Sequence, residues 1–110
     1  MTTFIDGERR ESDGGEPYRV IDPSTGETIT EYELAGPGQV DAAVAAARAA
    51  YDGWSRTTPG ERSGILTAFA AEMERRASEF AEVESRQAGK PIRLATEFDV
   101  PGTIDNIAFF

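Results

Sequence analysis

The four residues Thr58-Pro59-Gly60-Glu61 constrain the fold of this chain more than any other feature of its sequence. A threonine followed three residues later by a glutamate is the signature of a capping box, in which each side chain accepts a hydrogen bond from the backbone N–H of the other residue. Proline is favoured at the first position of a helix. A helix is therefore predicted to begin at residue 59.

Apolar residues downstream continue this helical pattern, with charged residues mostly around the other side. They are Ile65, Leu66, Phe69, Met73, Ala77 and Phe80. The helix is predicted to break near Ser78 and to end at Gly89-Lys90-Pro91, because glycine accepts the left-handed cap conformation and proline cannot continue a helix. A last helical stretch is predicted from about Leu94, interrupted at Pro101 and continuing to Phe110.

Strand and turn signals precede these helices. Asp6-Gly7 supplies the positive φ angles that a two-residue hairpin turn needs. Aromatic and β-branched residues predict short strands at 18–21 and 28–32, and Asp22–Gly26 is typical of the turn between them. After Gly36-Pro37-Gly38 an alanine-rich helix is predicted, with apolar residues at helical spacing: Val40, Val44, Ala47 and Tyr51. The predicted fold class is α/β, with short antiparallel strands followed by packed helices.

Two residue types are absent from the chain, and their absence limits the reactions that the chain could catalyse. The chain contains no cysteine and no histidine. Disulfides, thiolate metal sites and a cysteine nucleophile are thereby excluded, and the commonest general base is missing. We predict no catalytic residue within this chain.

The charge balance limits the partners. Twenty acidic and 11 basic residues give a formal net charge of −9, which repels nucleic acid backbones and anionic lipid surfaces. No stretch approaches the roughly 20 apolar residues that span a bilayer, and residues 1–15 do not have the pattern of a signal peptide. We expect a cytoplasmic protein with neither a nucleic acid partner nor a membrane partner.

The length of 110 residues suits at most one compact unit, either a small domain or a piece of a larger one. The sequence ends on Phe109-Phe110 without a helix cap or polar tail, which predicts a truncated segment of a longer fold. The alternative is a non-catalytic interaction module that docks a partner through the apolar residues of 104–110.

Five sequence blocks, in order and at compatible spacing, resemble the start of the NAD(P)-dependent aldehyde dehydrogenase family. They are Phe4-Ile5-Asp6-Gly7, Asp22-Pro23-Ser24-Thr25-Gly26-Glu27, Val40–Tyr51 followed by Trp54, Glu61-Arg62, and Gly89-Lys90-Pro91. Each block alone is weak, but the series covers essentially the whole chain. Residues 98–110 are most similar to the branch that acts on aminobutyraldehyde and betaine aldehyde.

The resemblance implies an oxidoreductase that converts an aldehyde to a carboxylic acid with NAD or NADP. Residues 1–110 would be the amino-terminal part of its Rossmann-like cofactor-binding domain, without the catalytic domain and the oligomerisation arm. The family's catalytic cysteine and glutamate base have no counterpart here. We therefore assign no cofactor-binding residue and expect no tight NAD binding by these residues alone. A small aldehyde substrate and a homodimer or homotetramer are implied for the full-length enzyme only.

The resemblance also implies a monovalent cation site. Its ligands in this chain would be the backbone carbonyls of Val20 and Ile21 and the carboxylate of Asp99, and such oxygen ligands suit a hard cation. The alternative is that Asp99 binds no ion and either faces solvent or caps a turn before Pro101.

Three further features have both a structural and a functional interpretation, and the structural one is favoured for each. Lys90 is predicted to bond the last carbonyls of its helix rather than a phosphate. Trp54 is predicted to anchor a core or an interface rather than to line a substrate tunnel. The glutamates of 72–84 are predicted to form a solvated face with i,i+4 pairs to arginines rather than a metal or acid–base site.

Overall fold

The computed structural model describes residues 3–110. They form two compact units: the first contains the residues up to Val20 together with Thr28–Arg56, and the second contains Ile21–Glu27 and Thr57–Phe110. The prediction of one compact unit at most is wrong, because the contacts cluster around two separate sets of elements. Within the described residues, no helix is long and apolar enough to cross a membrane.

The first unit opens with the predicted hairpin. Strand β1 (Thr3–Ile5) pairs antiparallel with β2 (Glu8–Arg10). Both turn residues have positive φ, 54° at Asp6 and 76° at Gly7, as a type I′ turn requires. The hairpin prediction is confirmed.

A second two-stranded sheet contains β3 (Pro17–Ile21) and β4 (Thr28–Glu33). In the turn that follows β3, the Asp22 carboxylate accepts the Ser24 N–H at 2.8 Å, and Gly26 has a φ of 76°. Both features belong to a turn, and a turn is what the sequence predicts at Asp22–Gly26.

Helix α1 (Pro37–Trp54) begins with a cap from a distant residue. Its N-cap residue, Gly36, has no side chain to offer. The carboxylate of Asp13 instead accepts the N–H of Gly36 at 2.7 Å and the N–H of Gln39 at 3.0 Å. A carboxylate at this end of a helix bonds free N–H groups and also complements the helix dipole. The loop of residues 11–16 is thereby fixed to the start of α1.

We expect the substitution Asp13→Ala to lower the free energy of unfolding by about 1–2 kcal/mol, since a helix cap of this kind contributes that much. Urea unfolding, followed by the fluorescence of Trp54 at the end of α1, measures the change. The matched control is Asp41→Ala, which removes the same charge from the exposed side of the same helix. Equal unfolding midpoints for the two variants would contradict the capping role of Asp13.

The second unit is mainly helical. Its elements are α2 (Pro59–Arg75), α3 (Ala77–Ala88), the single turn α4 (Ile92–Leu94), a π-helical segment (Ala95–Asp99) and α5 (Val100–Phe109). The break predicted near residue 78 occurs at residue 76, where the backbone leaves helical geometry. The last helical stretch begins two residues earlier than predicted.

The capping box predicted at the start of α2 is present. The Glu61 carboxylate accepts the Thr58 N–H at 2.7 Å, and the Thr58 hydroxyl accepts the Glu61 N–H at 3.3 Å. The bond from the Thr58 N–H lowers the pKa of Glu61 most, and the Thr58 hydroxyl, which donates to the same carboxylate at 2.9 Å, lowers it further. The ionised carboxylate therefore favours the folded helix.

This lowered pKa predicts an acid-dependent loss of stability. The stabilisation by Glu61 is fully present above its unfolded pKa of about 4.3 and disappears as the pH falls through the lower pKa of the folded state. The variant Glu61→Gln should be less stable than the parent at neutral pH, and the difference should shrink below about pH 4.3. Urea midpoints measured across this range test the expectation, and a difference that does not depend on pH would contradict it.

The helical stretch continues past Pro101 to Phe109, and the interruption predicted at Pro101 takes the form of a change in the hydrogen bonding of the turn before it. Proline has no N–H, so Pro101 cannot donate the helical hydrogen bond to the carbonyl four residues earlier. The turn before Pro101 has the wider π-helical spacing instead. The Val100 N–H donates to the carbonyl of Ala95, five residues earlier. The predicted interruption is therefore a π-helical turn within a continuous helical stretch.

The core of the second unit consists of small side chains. Ala81 and Ala95 are buried together with Val100. The larger apolar residues of the α2 pattern stay accessible, and Ile65 and Phe69 are each 53% exposed. Alanines let α3 approach the π-helical segment closely, but they cover little of the apolar surface.

Candidate functional site

A cluster of three charged side chains lies where α3 ends. Gly89 takes the left-handed conformation with a φ of 68° and turns the chain after α3. The ammonium of Lys90 then lies between two carboxylates, 2.9 Å from Oε1 of Glu84 and 2.9 Å from Oδ2 of Asp99. The Ser85 hydroxyl donates to the backbone carbonyl of Lys90 at 2.7 Å and fixes this turn. We call Glu84, Lys90 and Asp99 the charged triad.

The predicted role of Lys90 as a cap for the carbonyls of its own helix is wrong. Its side chain bonds the two carboxylates, because the left-handed turn at Gly89 directs the chain away from the axis of α3. The bond to Asp99, and then the bond to Glu84, raises the pKa of Lys90. Lys90 is therefore a cation throughout the neutral range.

Asp99, the predicted cation ligand, uses only one of its carboxylate oxygens in the triad. Oδ2 accepts from Lys90, whereas Oδ1 makes no hydrogen bond within residues 3–110. About a third of the side chain is exposed. Asp99 thus has a free, partly accessible oxygen, the group that a hard cation binds.

The other two predicted ligands, Val20 and Ile21, lie at the end of β3. Val20 belongs to the first unit, and Ile21 belongs to the second unit together with Asp99. In the described part of the chain, no group of three or more acidic side chains is arranged to hold a metal ion. A cation here would need backbone carbonyls besides Asp99, and the site stays a prediction.

A cavity of about 380 Å³ adjoins the charged triad. Its other lining residues are Met73, Phe80, Val83, Val100 and Thr103. In the part of the chain that the structure describes, the triad supplies all the charged side chains of this cavity.

The first unit has a separate apolar groove of about 600 Å³. Phe4, Leu34, Val40 and Val44 line it, and all four are more than a third exposed. The buried amide of Gln39 lies at its edge, and the Gln39 Oε1 has no hydrogen-bond partner among the described residues.

The glutamates of α2 and α3 mostly form the predicted solvated face. Arg76 and Glu79 pair at 2.7 Å, and Glu72 pairs with Arg75, in both cases three residues apart rather than the predicted four. Exposed pairs of this kind contribute little to stability. Glu84 is the exception, since it belongs to the charged triad, and its sequence position alone does not distinguish it from the others.

Trp54 is the last residue of α1 and is about half exposed. Such a position is compatible with the predicted anchor for a core or an interface. Its role stays a prediction.

Residues 10–110 match the model of the aldehyde dehydrogenase family. Together with the strands and the helix caps, this match defines the class of protein. The chain belongs to the aldehyde dehydrogenase family.

The curated relatives are longer enzymes. The chain is 44% identical over 89 residues to 2-aminomuconic semialdehyde dehydrogenase of Bos taurus, a match that covers 81% of this chain and 18% of the relative. It is 38% identical over 107 residues to betaine aldehyde dehydrogenase 1 of Rhizobium meliloti, covering 97% of this chain and 22% of the relative. The chain thus spans about a fifth of the length of these relatives.

The backbone agrees with that of a solved family member. The NAD⁺ complex of aldehyde dehydrogenase from Bacillus cereus superposes with a TM-score of 0.90 at 30% identity, covering 98% of this chain and 22% of that structure. The predicted fold class, strands followed by packed helices from the start of the aldehyde dehydrogenase fold, is confirmed.

Proposed function

We propose that this chain is the amino-terminal structural part of an enzyme that oxidises an aldehyde to a carboxylic acid with NAD or NADP. The observation that carries the proposal is the family match over residues 10–110. The superposition on an NAD⁺-bound relative supports the same conclusion. A cofactor-binding domain, a homodimer or homotetramer and a cytoplasmic location belong to the proposal as implications of the family and the sequence.

The role of this chain in that enzyme would be architectural. It has no cysteine to attack an aldehyde, so the nucleophile would come from the part of the relatives that lies outside the match. The exposed apolar surface supports this role, since the groove of the first unit and the apolar residues of α2 are faces that a larger fold would cover. By itself, the chain is expected neither to turn over aldehydes nor to bind NAD tightly.

The substrate class we propose is a small aldehyde that carries a nitrogen group. The relatives named above act, by their names, on 2-aminomuconic semialdehyde and on betaine aldehyde. These two compounds share a nitrogen substituent and differ in charge, so they form a useful pair of test substrates.

We also propose that Asp99 supplies the carboxylate of a monovalent cation site, together with the carbonyls of Val20 and Ile21. The chemistry of these oxygen donors fits a monovalent ion, since one carboxylate and neutral carbonyls give little charge. The free Oδ1 of Asp99 supports this assignment.

The alternative function, an interaction module that docks a partner through residues 104–110, has no support beyond the exposure of Phe109 and Phe110. The family match extends through residue 110. These aromatic residues are therefore part of the segment that the family shares.

A chimera tests the proposed function. The matched 107-residue segment of betaine aldehyde dehydrogenase 1 from Rhizobium meliloti is replaced by the corresponding residues of this chain. We expect betaine-aldehyde-dependent NADH formation by the chimera and none by the same enzyme with the segment deleted. A chimera that is folded and oligomeric, yet inactive on both test substrates, would contradict the proposal.

A further inference from the structure

We infer that the apolar groove of the first unit is a docking site for one further β-strand, which comes from the part of the enzyme outside these 110 residues. This role rests on the proposed function, because it needs an enzyme longer than this chain. It adds to that function the surface by which the first unit is held and the kind of segment that fits it.

Two runs of consecutive residues form the walls of the groove. All of β1 (Thr3–Ile5) lines one side, and residues 32–35, which include the end of β4, line the other. Successive side chains of a strand point to opposite faces, so a groove that touches every residue of β1 lies along its edge rather than over one face. The floor is a face of α1 that presents Val40 and Val44. An extended segment fits such a groove.

The register of the hairpin identifies the backbone groups at the open edge of β1. Ile5 lies opposite Glu8 beside the two-residue turn, and Phe4 lies opposite Arg9. The pair beside a tight turn is hydrogen-bonded, and antiparallel pairs alternate between bonded and non-bonded ones. The N–H and the carbonyl of Phe4 therefore point away from β2, which is the only strand partner of β1 within residues 3–110. An edge of this kind is a template for an added strand.

A buried acceptor at the edge of the groove shows that the occupant carries hydrogen-bond donors. Gln39 is 7% exposed, and its Nε2 donates to the carbonyl of Glu11. Its Oε1 has no partner among the described residues. A buried acceptor without a partner lowers stability, and a backbone N–H of an added strand would satisfy it. A purely apolar ligand has no such donor.

The charge of the chain favours another part of the enzyme over a second copy as the occupant. The chain has a net charge of −9, and Glu33 is the only charged side chain of the groove lining within residues 3–110. Two copies would therefore repel each other. This chain covers 22% of betaine aldehyde dehydrogenase 1, so most of such an enzyme remains to supply the strand. We expect a segment with apolar residues at alternate positions and no acidic residue beside Glu33.

Thiol labelling tests whether the groove is covered, because the chain has no cysteine of its own. Val44 is 48% exposed, so Val44→Cys should react readily with iodoacetamide in the chain. Peptide mass spectrometry follows the reaction at this residue in the chain and in the chimera, where we expect a rate lower by about tenfold or more. Asp41→Cys is the control. Residue 41 is exposed on the same helix outside the groove lining, and its rate should be similar in both proteins.

Two substitutions at Phe4 separate backbone pairing from side-chain contact. Phe4→Pro removes the outward N–H at a position where an edge strand tolerates proline, whereas Phe4→Ala keeps the N–H and removes the ring. In the chimera with Val44→Cys, we expect labelling about fivefold faster with Phe4→Pro than with Phe4→Ala, the effect of one lost hydrogen bond. Equal rates in a protected groove would show that the groove is covered without strand pairing and would overturn the inference.

A second measurement does not need a folded chimera. Overlapping peptides that cover the rest of betaine aldehyde dehydrogenase 1 are added in excess to the Val44→Cys chain. One region of that sequence should slow the labelling, and it should do so less in the chain that also carries Phe4→Pro. A chimera that does not fold, together with peptides that all leave the rate unchanged, would overturn the inference.

The remaining outcomes are also decisive. An accessible residue 44 in a folded, oligomeric chimera would overturn the inference, and NADH formation by that chimera would leave the proposed function standing. A protected groove in a folded but inactive chimera would contradict the proposed function alone. Labelling of the isolated chain that slows as its concentration rises would assign the groove to a second copy and overturn the inference.

Discussion

The substitution Gly15→Ala is expected to destabilise the first unit by about 3 kcal/mol, at the upper end of the usual cost of forcing an extra carbon into a packed site. A Cβ at position 15 would lie 2.6 Å from the carbonyl carbon of Leu34 and closer still to its oxygen. These are backbone atoms held on both sides, since the Leu34 N–H donates to the carbonyl of Glu16 at 2.9 Å and its carbonyl accepts from the Ser12 hydroxyl at 2.6 Å. The clash therefore cannot be relieved by a side-chain rotation.

Urea unfolding monitored by Trp54, the single tryptophan, reports on this unit directly. Gly53→Ala is the control, because its Cβ would meet no atom within 4 Å and it lies in the last turn of α1. It should be neutral or slightly stabilising, since alanine is the better helix former. A Gly15→Ala variant as stable as the control would show that the close approach of residues 15 and 34 is not present in solution.

The second large effect is expected from Ala81→Leu. Ala81 is 1% exposed and packs with Ala95, which is fully buried, where α3 meets the π-helical segment. A leucine side chain has no room there and would push the two elements apart, at a cost of about 2–3 kcal/mol. Circular dichroism during thermal unfolding measures the loss.

Ala71→Leu tests whether the size of leucine alone is responsible. Residue 71 is exposed on α2, so the same substitution there should change stability by less than about 0.5 kcal/mol. Similar midpoints for the two leucine variants would contradict the close packing of α3 against the π-helical segment.

The sequence predicts the local structure well where a turn or a cap depends on neighbouring residues. Asp6-Gly7, the capping box of Thr58 and Glu61 and the left-handed Gly89 all meet their partners within a few positions. These turns and caps can be predicted from the sequence because they depend only on neighbouring residues and not on the position of distant parts of the chain. These signals set the ends of most elements to within two residues.

Contacts between distant positions could not be predicted in this way. Asp13 caps a helix that begins more than 20 residues later, and nothing near residue 13 indicates that helix. The role of Lys90 was missed for the same reason, since its partner Asp99 is brought near by the turn at Gly89 and the helical stretch that follows. The π-helical turn before Pro101 could not be predicted either, because the sequence does not show whether the backbone there bonds at a spacing of four residues or of five.

The hydrophobic pattern also did not predict which apolar side chains are buried. Spacing correctly placed the large apolar residues of α2 on a helix, yet Ile65 and Phe69 remain half exposed and alanines fill the core. Periodicity shows which residues share a face of a helix, but it does not show whether the same chain covers that face. In a chain that spans about a fifth of its relatives, these two questions have different answers.

The most direct test of the account is the rate of NADH formation by the 110-residue chain itself, with betaine aldehyde and NAD⁺ in excess and the chimera assayed alongside. The account predicts turnover by the chimera and no rate above the uncatalysed background for the chain, which contains no cysteine and no histidine. Aldehyde-dependent turnover by the purified chain would contradict it, because the residues that carry the family's chemistry would then have to lie within these 110 positions.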